Sequence, residues 1–120
     1  MNKPVSPKVH GIIDYLTVPL LVAAGPLFGF DGLAARITST LAGVMLIYSA
    51  ATAYPPGVVK IVSLSAHRTI DRVLGLLLIA TPWICGFADV YSAKIFFVVF
   101  GIAMLTVVSL TNFSPSTNQS

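Results

Sequence analysis

The sequence predicts an all-α membrane protein with four transmembrane helices, arranged as two tandem helical hairpins. Composition is the first observation behind this prediction: of the 120 residues, 56% are hydrophobic and only 9% are charged. A soluble domain carries about 25% charged residues, because water must solvate its surface. The second observation is four apolar runs, each close to the length that crosses a bilayer. We therefore expect lipid to cover most of the surface.

An internal repeat is the third observation. Four residues recur 57 positions later in the same order: His10, Asp14, Gly29 and Phe30 correspond to His67, Asp71, Gly86 and Phe87. The spacing predicts a single domain over 1–120, divided into repeat one (about 10–54), an interfacial connection (about 55–66), repeat two (about 67–113) and a polar tail (114–120). With two spans in each repeat, both halves have the same orientation. We therefore predict a pseudo-twofold axis along the membrane normal.

The first hairpin is predicted from apolar runs at 11–30 and 37–54, joined by an Asp-Gly turn. Two prolines lie inside the first run. We expect a kinked but continuous helix there, because neighbouring groups can satisfy the freed carbonyls. In the second run, Ser39 and Gly43 lie four residues apart on one face, and this spacing of small residues permits close approach of another helix.

The second hairpin follows a Tyr-Pro-Pro-Gly sequence at 54–57, which is predicted to end the second helix. The apolar connection is expected to lie along the membrane interface, and the remaining spans are predicted at about 69–87 and 95–111. Both termini and the connection then share one side of the membrane. Five basic residues lie on that side and two on the other: Lys3, Lys8, Lys60, Arg68 and Arg72 against Arg36 and Lys94. The positive-inside rule places both termini in the cytoplasm.

A polar cluster at the cytoplasmic ends of the spans is the main candidate site: His10, Asp14, His67, Arg68, Asp71 and Arg72. Each aspartate follows a histidine by four residues, so the two side chains share a helical face. An aspartate at membrane depth costs up to about 3 kcal/mol, and Asp14 has no basic neighbour on its own helix to offset this. We therefore predict a structural cluster in which Asp14 bonds to Arg68 or Arg72 of the other hairpin.

A second interpretation gathers His10, Asp14, His67 and Asp71 around the axis as a metal site or a proton relay. Two imidazoles and two carboxylates suit a first-row divalent metal, and acids inside a membrane mark proton paths. Against this, the two neighbouring arginines would repel a cation, and a His-xxx-Asp pair is a pattern of low specificity. We therefore predict neither a metal nor a cofactor.

Aromatic residues near the opposite ends of the spans are predicted to anchor the protein at the lipid headgroups: Trp83, Phe87, Phe30 and Tyr91. Hydroxyl-bearing residues occur toward the cytoplasmic halves of the second and fourth helices: Tyr48, Ser49, Thr52, Thr106, Ser109 and Thr111. These side chains could line a polar cavity, but we expect them to bond to neighbouring backbone carbonyls.

The sequence excludes several classes of function. It contains no glycine-rich phosphate loop and no nucleophile with a placed base, so we predict that the protein is not an enzyme. Its seven basic residues are scattered between apolar runs and form no stripe, which excludes nucleic acid as a partner. The single cysteine, Cys85, excludes a disulfide framework.

The third predicted span carries a family motif. It is opened by an acid, closed by Pro-Trp-x-x-Gly-Phe at 82–87, and paired with a further apolar span. This pattern resembles the SPW-repeat family of small bacterial integral membrane proteins, with Thr-Pro-Trp at 81–83 in place of Ser-Pro-Trp and Gly-Pro-Leu at 25–27 in the first repeat. The resemblance implies a multi-pass protein of the bacterial inner membrane built from paired helices. It implies no particular chemistry.

For function, we predict a small structural or accessory membrane subunit that contacts lipid and packs its helices with itself or with a larger complex. The alternative is a small oligomeric channel or transporter for protons or cations, with Asp14 and Asp71 at its inner mouth. A membrane enzyme acting on a metal or a lipid is the third class, but the chain has few reactive groups. An ion path requires the hydroxyl-bearing faces to converge on water, whereas a subunit that acts by packing requires those hydroxyls to be bonded internally.

Overall fold

The computed structural model describes residues 3–113, which form four α-helices: α1 (Pro7–Phe28), α2 (Gly32–Ala50), α3 (Leu64–Ile84) and α4 (Tyr91–Leu110). Within those residues β-structure is limited to two isolated bridges. The predicted all-α class with four helices is therefore confirmed. The predicted polar tail, 114–120, lies outside the described residues.

The helices pack as two hairpins, α1 on α2 and α3 on α4, and the main helix contact between the hairpins joins α1 to α4. At one end of the bundle the two ends of the described chain pair with each other: the Val5 N–H donates to the Leu110 carbonyl at 3.2 Å, and the Asn112 N–H donates to Val5 at 2.8 Å. We call this the terminal end. The opposite end, which we call the turn end, holds the two short turns, where the Ser92 hydroxyl donates to the Gly29 carbonyl.

Both hairpins begin their first helix earlier than the apolar runs predicted, at Pro7 and Leu64 instead of about 11 and 69. The reason is helix capping. The Ser6 hydroxyl accepts from the Val9 N–H, and the Ser63 hydroxyl accepts from the Ala66 N–H, so each helix starts within polar sequence. Hydropathy marks the part of a helix suited to lipid and does not report its capped first turns. Both histidines therefore lie inside helices and not before them.

The other ends of the helices also have local causes. Gly29 and Gly86 have left-handed φ angles of 83° and 78°, which glycine adopts without steric cost. The second helix ends at Ala50, four residues before the predicted stop, and the chain then bends back so that the Ala53 N–H donates to the Val62 carbonyl at 2.8 Å. As predicted, α1 continues through its two internal prolines.

Three helices, α1, α2 and α4, are long and apolar enough to cross a membrane. With the apolar composition, this makes the chain a membrane protein. The remaining helix, α3, is 21 residues long and carries its charged residues in its first turns, namely Arg68, Asp71 and Arg72. A span by α3 stays a prediction.

The core at the turn end is aromatic, and it changes the interpretation of two predicted membrane anchors. Phe30 and Phe87 are only 5% and 7% exposed, and both rings pack against Phe97, at centroid distances of 6.4 and 5.1 Å. Each follows a left-handed glycine, which turns the chain inward at that point. They therefore fill the core and do not face lipid headgroups. Trp83 and Tyr91 are exposed, 58% and 72%, so their predicted place in an aromatic belt remains open to test.

Two glycines, Gly75 and Gly101, lie where α3 and α4 approach each other closely. A methyl group added at Gly101 would lie 2.7 Å from the Gly75 carbonyl oxygen and 2.7 Å from a side-chain carbon of Ile79. Small residues at such crossings let two backbones touch, which is the usual means of helix association in membranes. On α2, by contrast, a methyl group at Gly43 would meet no described residue within 4 Å, so no other described helix packs at that position.

Candidate functional site

Four side chains converge at the terminal end of the bundle, two from α1 and two from α3. Because the capping serines begin α1 and α3 at matching positions, each helix carries a histidine near its start and an aspartate one turn later on the same face. All four are buried, with exposed fractions of 1, 6, 0 and 2%. We call them the quartet: His10, Asp14, His67 and Asp71.

Within the quartet, histidine and aspartate alternate. His10 Nε2 lies 3.0 Å from Asp71 Oδ2 and 3.4 Å from Asp14 Oδ2, and His67 Nε2 lies 3.1 Å from each of the same two oxygens. Two of these four contacts cross between the hairpins. Each aspartate oxygen therefore faces a histidine of its own helix and a histidine of the other hairpin.

The outer nitrogen of each histidine is held by a threonine. His10 Nδ1 lies 2.8 Å from the Thr111 hydroxyl, and His67 Nδ1 lies 2.8 Å from the Thr52 hydroxyl. Both hydroxyls donate their own proton to the backbone carbonyl four residues earlier, at 2.6 and 2.8 Å. A hydroxyl has one proton to donate, so each threonine accepts from Nδ1. This requires a proton on Nδ1 of each histidine and turns Nε2 toward the centre of the quartet.

The aspartates are held from outside by tyrosines. The Tyr54 hydroxyl donates to Asp14 Oδ2 at 2.9 Å. The Tyr48 hydroxyl shares its one proton between Asp71 Oδ1 at 3.2 Å and the His67 carbonyl at 3.0 Å. Tyr54 lies in the α2–α3 connection and is fully buried. Burial and the Asp14 carboxylate raise the pKa of the Tyr54 hydroxyl above its ordinary value, so it stays protonated and acts as a donor.

The two arginines of the predicted cluster do not join the quartet, and the predicted bond from Asp14 to Arg68 or Arg72 is wrong. Among the described residues, the ion-pair partners of Asp14 are His10 and His67. Arg68 is half-buried and Arg72 is exposed. The partner that Asp14 requires from the other hairpin is thus a histidine.

The predicted bonding of the hydroxyls to neighbouring backbone carbonyls is confirmed for three residues. Thr52, Thr106 and Thr111 each donate to the carbonyl four residues earlier. Sequence reasoning missed the second role of Thr52 and Thr111 as histidine partners, and it missed Tyr54 altogether. A signal was available: Thr111 follows Thr52 by 59 residues, and the aromatic pair Tyr54 and Phe113 has the same spacing. Phe113 packs against the His10 ring at 5.3 Å, while Tyr54 packs against His67 at 5.2 Å.

Chemically, the quartet can balance its charge in two ways. Two protonated histidines can neutralise two carboxylates, or two neutral histidines and two carboxylates can surround a divalent cation. Either state avoids a buried charge without a counter-charge, which would lower the folding stability by roughly several kcal/mol. A small cavity of about 70 Å³ lies beside the quartet between α1 and α4, and its other walls are mainly apolar, including Met45, Phe100 and Met104.

A known protein family matches most of the chain. The SPW repeat domain matches residues 8–112. The chain belongs to the SPW repeat family. The resemblance predicted from the Thr-Pro-Trp motif is confirmed, and the match also covers the first repeat, which lacks the tryptophan. No curated protein and no solved structure matches the chain.

In this SPW repeat protein, the motif and the quartet lie at opposite ends of α3. Pro82 is buried and Trp83 is exposed, close to the left-handed turn at Gly86. The two quartet residues that α3 supplies, His67 and Asp71, lie near the start of the same helix. The motif therefore shapes the turn end of the hairpin and contributes no side chain to the polar site.

Proposed function

We propose that the protein is a non-enzymatic structural or accessory membrane subunit that acts by packing its helices with itself or with a larger membrane complex. The observation that supports this is internal bonding of the polar groups near the quartet. In the described chain, Thr52, Thr111, Tyr48 and Tyr54 all donate to backbone carbonyls or to quartet carboxylates. Polar groups arranged in this way bind one another within the chain, as a role in helix packing requires.

The quartet supports a structural role because two of its four contacts link the hairpins. The extensive helix contacts lie inside each hairpin, whereas Asp14 to His67 and His10 to Asp71 cross between them. The alternative function, a proton or cation path gated by Asp14 and Asp71, requires those carboxylates to face an open route. Both are buried and accept hydrogen bonds from tyrosines.

The surface that we assign to helix packing is the α2 face that carries Ser39 and Gly43. Both residues are exposed, and the open space at Gly43 contrasts with the crowded glycines at Gly25, Gly75 and Gly101. A small-xxx-small pair facing outward lets a second helix approach closely, and such contacts drive association within lipid.

We expect Gly43→Leu to abolish or weaken association while leaving the single chain folded, because a leucine there would hold a partner helix away. Native mass spectrometry of the protein, extracted from its own membrane in mild detergent, measures this. The wild type should appear in an assembly of fixed stoichiometry, either with itself or with other subunits, and Gly43→Leu should shift it toward the monomer. Val44→Ala, at an exposed apolar position on a different face of the same helix, is the control. A wild type found only as a monomer contradicts the proposal.

We further propose that all four helices span the bacterial inner membrane, with the terminal end in the cytoplasm. The positive-inside count supports this orientation. Cys85 provides the test because it is the only cysteine and is exposed near the turn end. A membrane-impermeant maleimide should label Cys85 in intact spheroplasts. In a Cys85→Ser background, Lys60→Cys should react with the maleimide only after the membrane is permeabilised. The reverse pattern contradicts the orientation.

A further inference from the structure

We propose that the quartet is a binding site for one divalent transition-metal ion, coordinated by His10 Nε2, His67 Nε2 and one carboxylate oxygen each of Asp14 and Asp71. Two imidazole nitrogens and two carboxylate oxygens form a ligand set of the kind that Zn²⁺ and related first-row ions accept. The proposal goes beyond the packing role and does not depend on it, because it concerns the interior of one chain.

The spacing of the four atoms fits a shared ion. Neighbouring donor atoms in the quartet lie 3.0 to 3.4 Å apart, and all four lie within 4.8 Å of one another. Ligand atoms at Zn–N and Zn–O distances of about 2.0–2.1 Å stand roughly 3.3 Å apart around a tetrahedral ion. The four neighbouring donor pairs thus already have the spacing that a shared ion requires.

The hydrogen bonds around the quartet prepare it for a metal. Metal-binding histidines usually donate their outer N–H to a fixed acceptor, which sets the tautomer and aims the other nitrogen at the ion. Thr111 and Thr52 accept in this way from the Nδ1 atoms of His10 and His67. The two tyrosine hydroxyls orient the carboxylates. Each proposed ligand therefore has a hydrogen-bond partner outside the quartet, on Nδ1 for the histidines, on Oδ1 for Asp71 and on Oδ2 for Asp14.

One buried atom is left without a partner by this arrangement. His67 Nε2 is fully buried and forms no well-aligned hydrogen bond with any described residue, although it lies 3.1 Å from two carboxylate oxygens. A single ring proton cannot point at both oxygens at once. An ion at the centre of the quartet would use the Nε2 lone pair directly and remove the mismatch.

Charge also favours a divalent ion over other ligands. Two carboxylates and two neutral imidazoles give a bound M²⁺ site a net charge of zero, which suits its burial. Neither arginine pairs with the quartet carboxylates in the described chain, and the exposed Arg72 lies outside the core. A bound ion would join α1 to α3 and so clamp the two hairpins together.

The experiment uses the full-length protein in mild detergent, stripped with EDTA, dialysed and titrated with Zn²⁺. We expect one Zn²⁺ per chain by elemental analysis. Co²⁺ used as a second probe should give the intense visible absorption of a four-coordinate site. Thr52→Val and Thr111→Val should each weaken Zn²⁺ binding by about 10–100-fold, as loss of an outer-shell partner does. Asp71→Asn and His67→Gln should weaken it by more than about 100-fold, since they remove ligands themselves.

Asp31→Asn and Asp89→Asn are the matched controls, because both acids are exposed at the turn end, and their Zn²⁺ stoichiometry should equal that of the wild type. The chain has only two histidines, His10 and His67. Histidine NMR signals of the Co²⁺-loaded wild type therefore report on this site alone, and the measurement does not depend on whether a variant folds. A folded wild type that binds no stoichiometric Zn²⁺, or that binds Co²⁺ without four-coordinate absorption, overturns the proposal. Equal binding by the quartet variants also overturns it.

Discussion

His67→Leu is expected to lower the free energy of unfolding by about 3–5 kcal/mol, the cost of breaking a buried ion pair by removing one partner. His67 is fully buried and faces both aspartates. Without it, Asp14 and Asp71 would share His10 alone, and at least one carboxylate would be buried without a counter-charge. The measurement is reversible unfolding of the purified protein in mixed micelles, followed by the loss of helical circular dichroism.

The controls for this prediction are Asp31→Asn and Asp89→Asn, which change exposed acids in the outer turns. Surface substitutions of this kind shift stability by about 0.5 kcal/mol or less. If His67→Leu unfolded at the same point as these controls, the quartet would contribute little to stability and its buried position would require another explanation.

Gly101→Leu is expected to have the second large effect, a loss of about 3 kcal/mol at the upper end of the range for overpacking a tight contact. Even the first carbon of a side chain at this position would lie 2.7 Å from the backbone of α3. The larger leucine must therefore push α3 and α4 apart. This distorts the hairpin that carries His67 and Asp71. The same micelle unfolding assay measures this loss.

Gly43→Leu makes the same chemical change on an open face of α2 and is the matched control for Gly101→Leu. Nothing lies within 4 Å of the added carbon there, so the stability of the single chain should be retained or slightly increased. Equal destabilisation by the two variants would mean that leucine itself, and not the helix crossing, causes the loss.

Much of the fold was predictable from local patterns. The apolar runs identified four helices, and the 57-residue spacing paired the polar residues that meet at the terminal end. The error over the arginines has a geometric cause. An α-helix turns about 100° per residue, so Asp71 lies near the face of His67 while Arg68 and Arg72 lie well to the side. This spacing predicts that His67 and Asp71 share one face of α3. It argues against a bond from either arginine to a group that this face contacts.

The partners outside the quartet were not predictable in the same way. Thr52 and Tyr54 follow the end of α2, and Thr111 follows the end of α4, so helical periodicity does not place them. Pairing the two repeats at a constant spacing of 57 residues also fails to match Thr52 with Thr111. The connection between α3 and α4 is longer than that between α1 and α2, so the repeat spacing changes from 57 to 59 residues after the turn. Only the folded chain brings these groups around His10 and His67.

The central claim is that the quartet couples the two hairpins, and a double-mutant cycle between Asp14 and His67 tests it most directly. Asp14→Asn, His67→Gln and the double variant are unfolded in mixed micelles with EDTA present, so that bound metal makes no contribution. Because the two side chains lie 3.1 Å apart on different hairpins, we predict a coupling free energy of about 1–3 kcal/mol. Strictly additive effects, with coupling below about 0.5 kcal/mol, would contradict the claim.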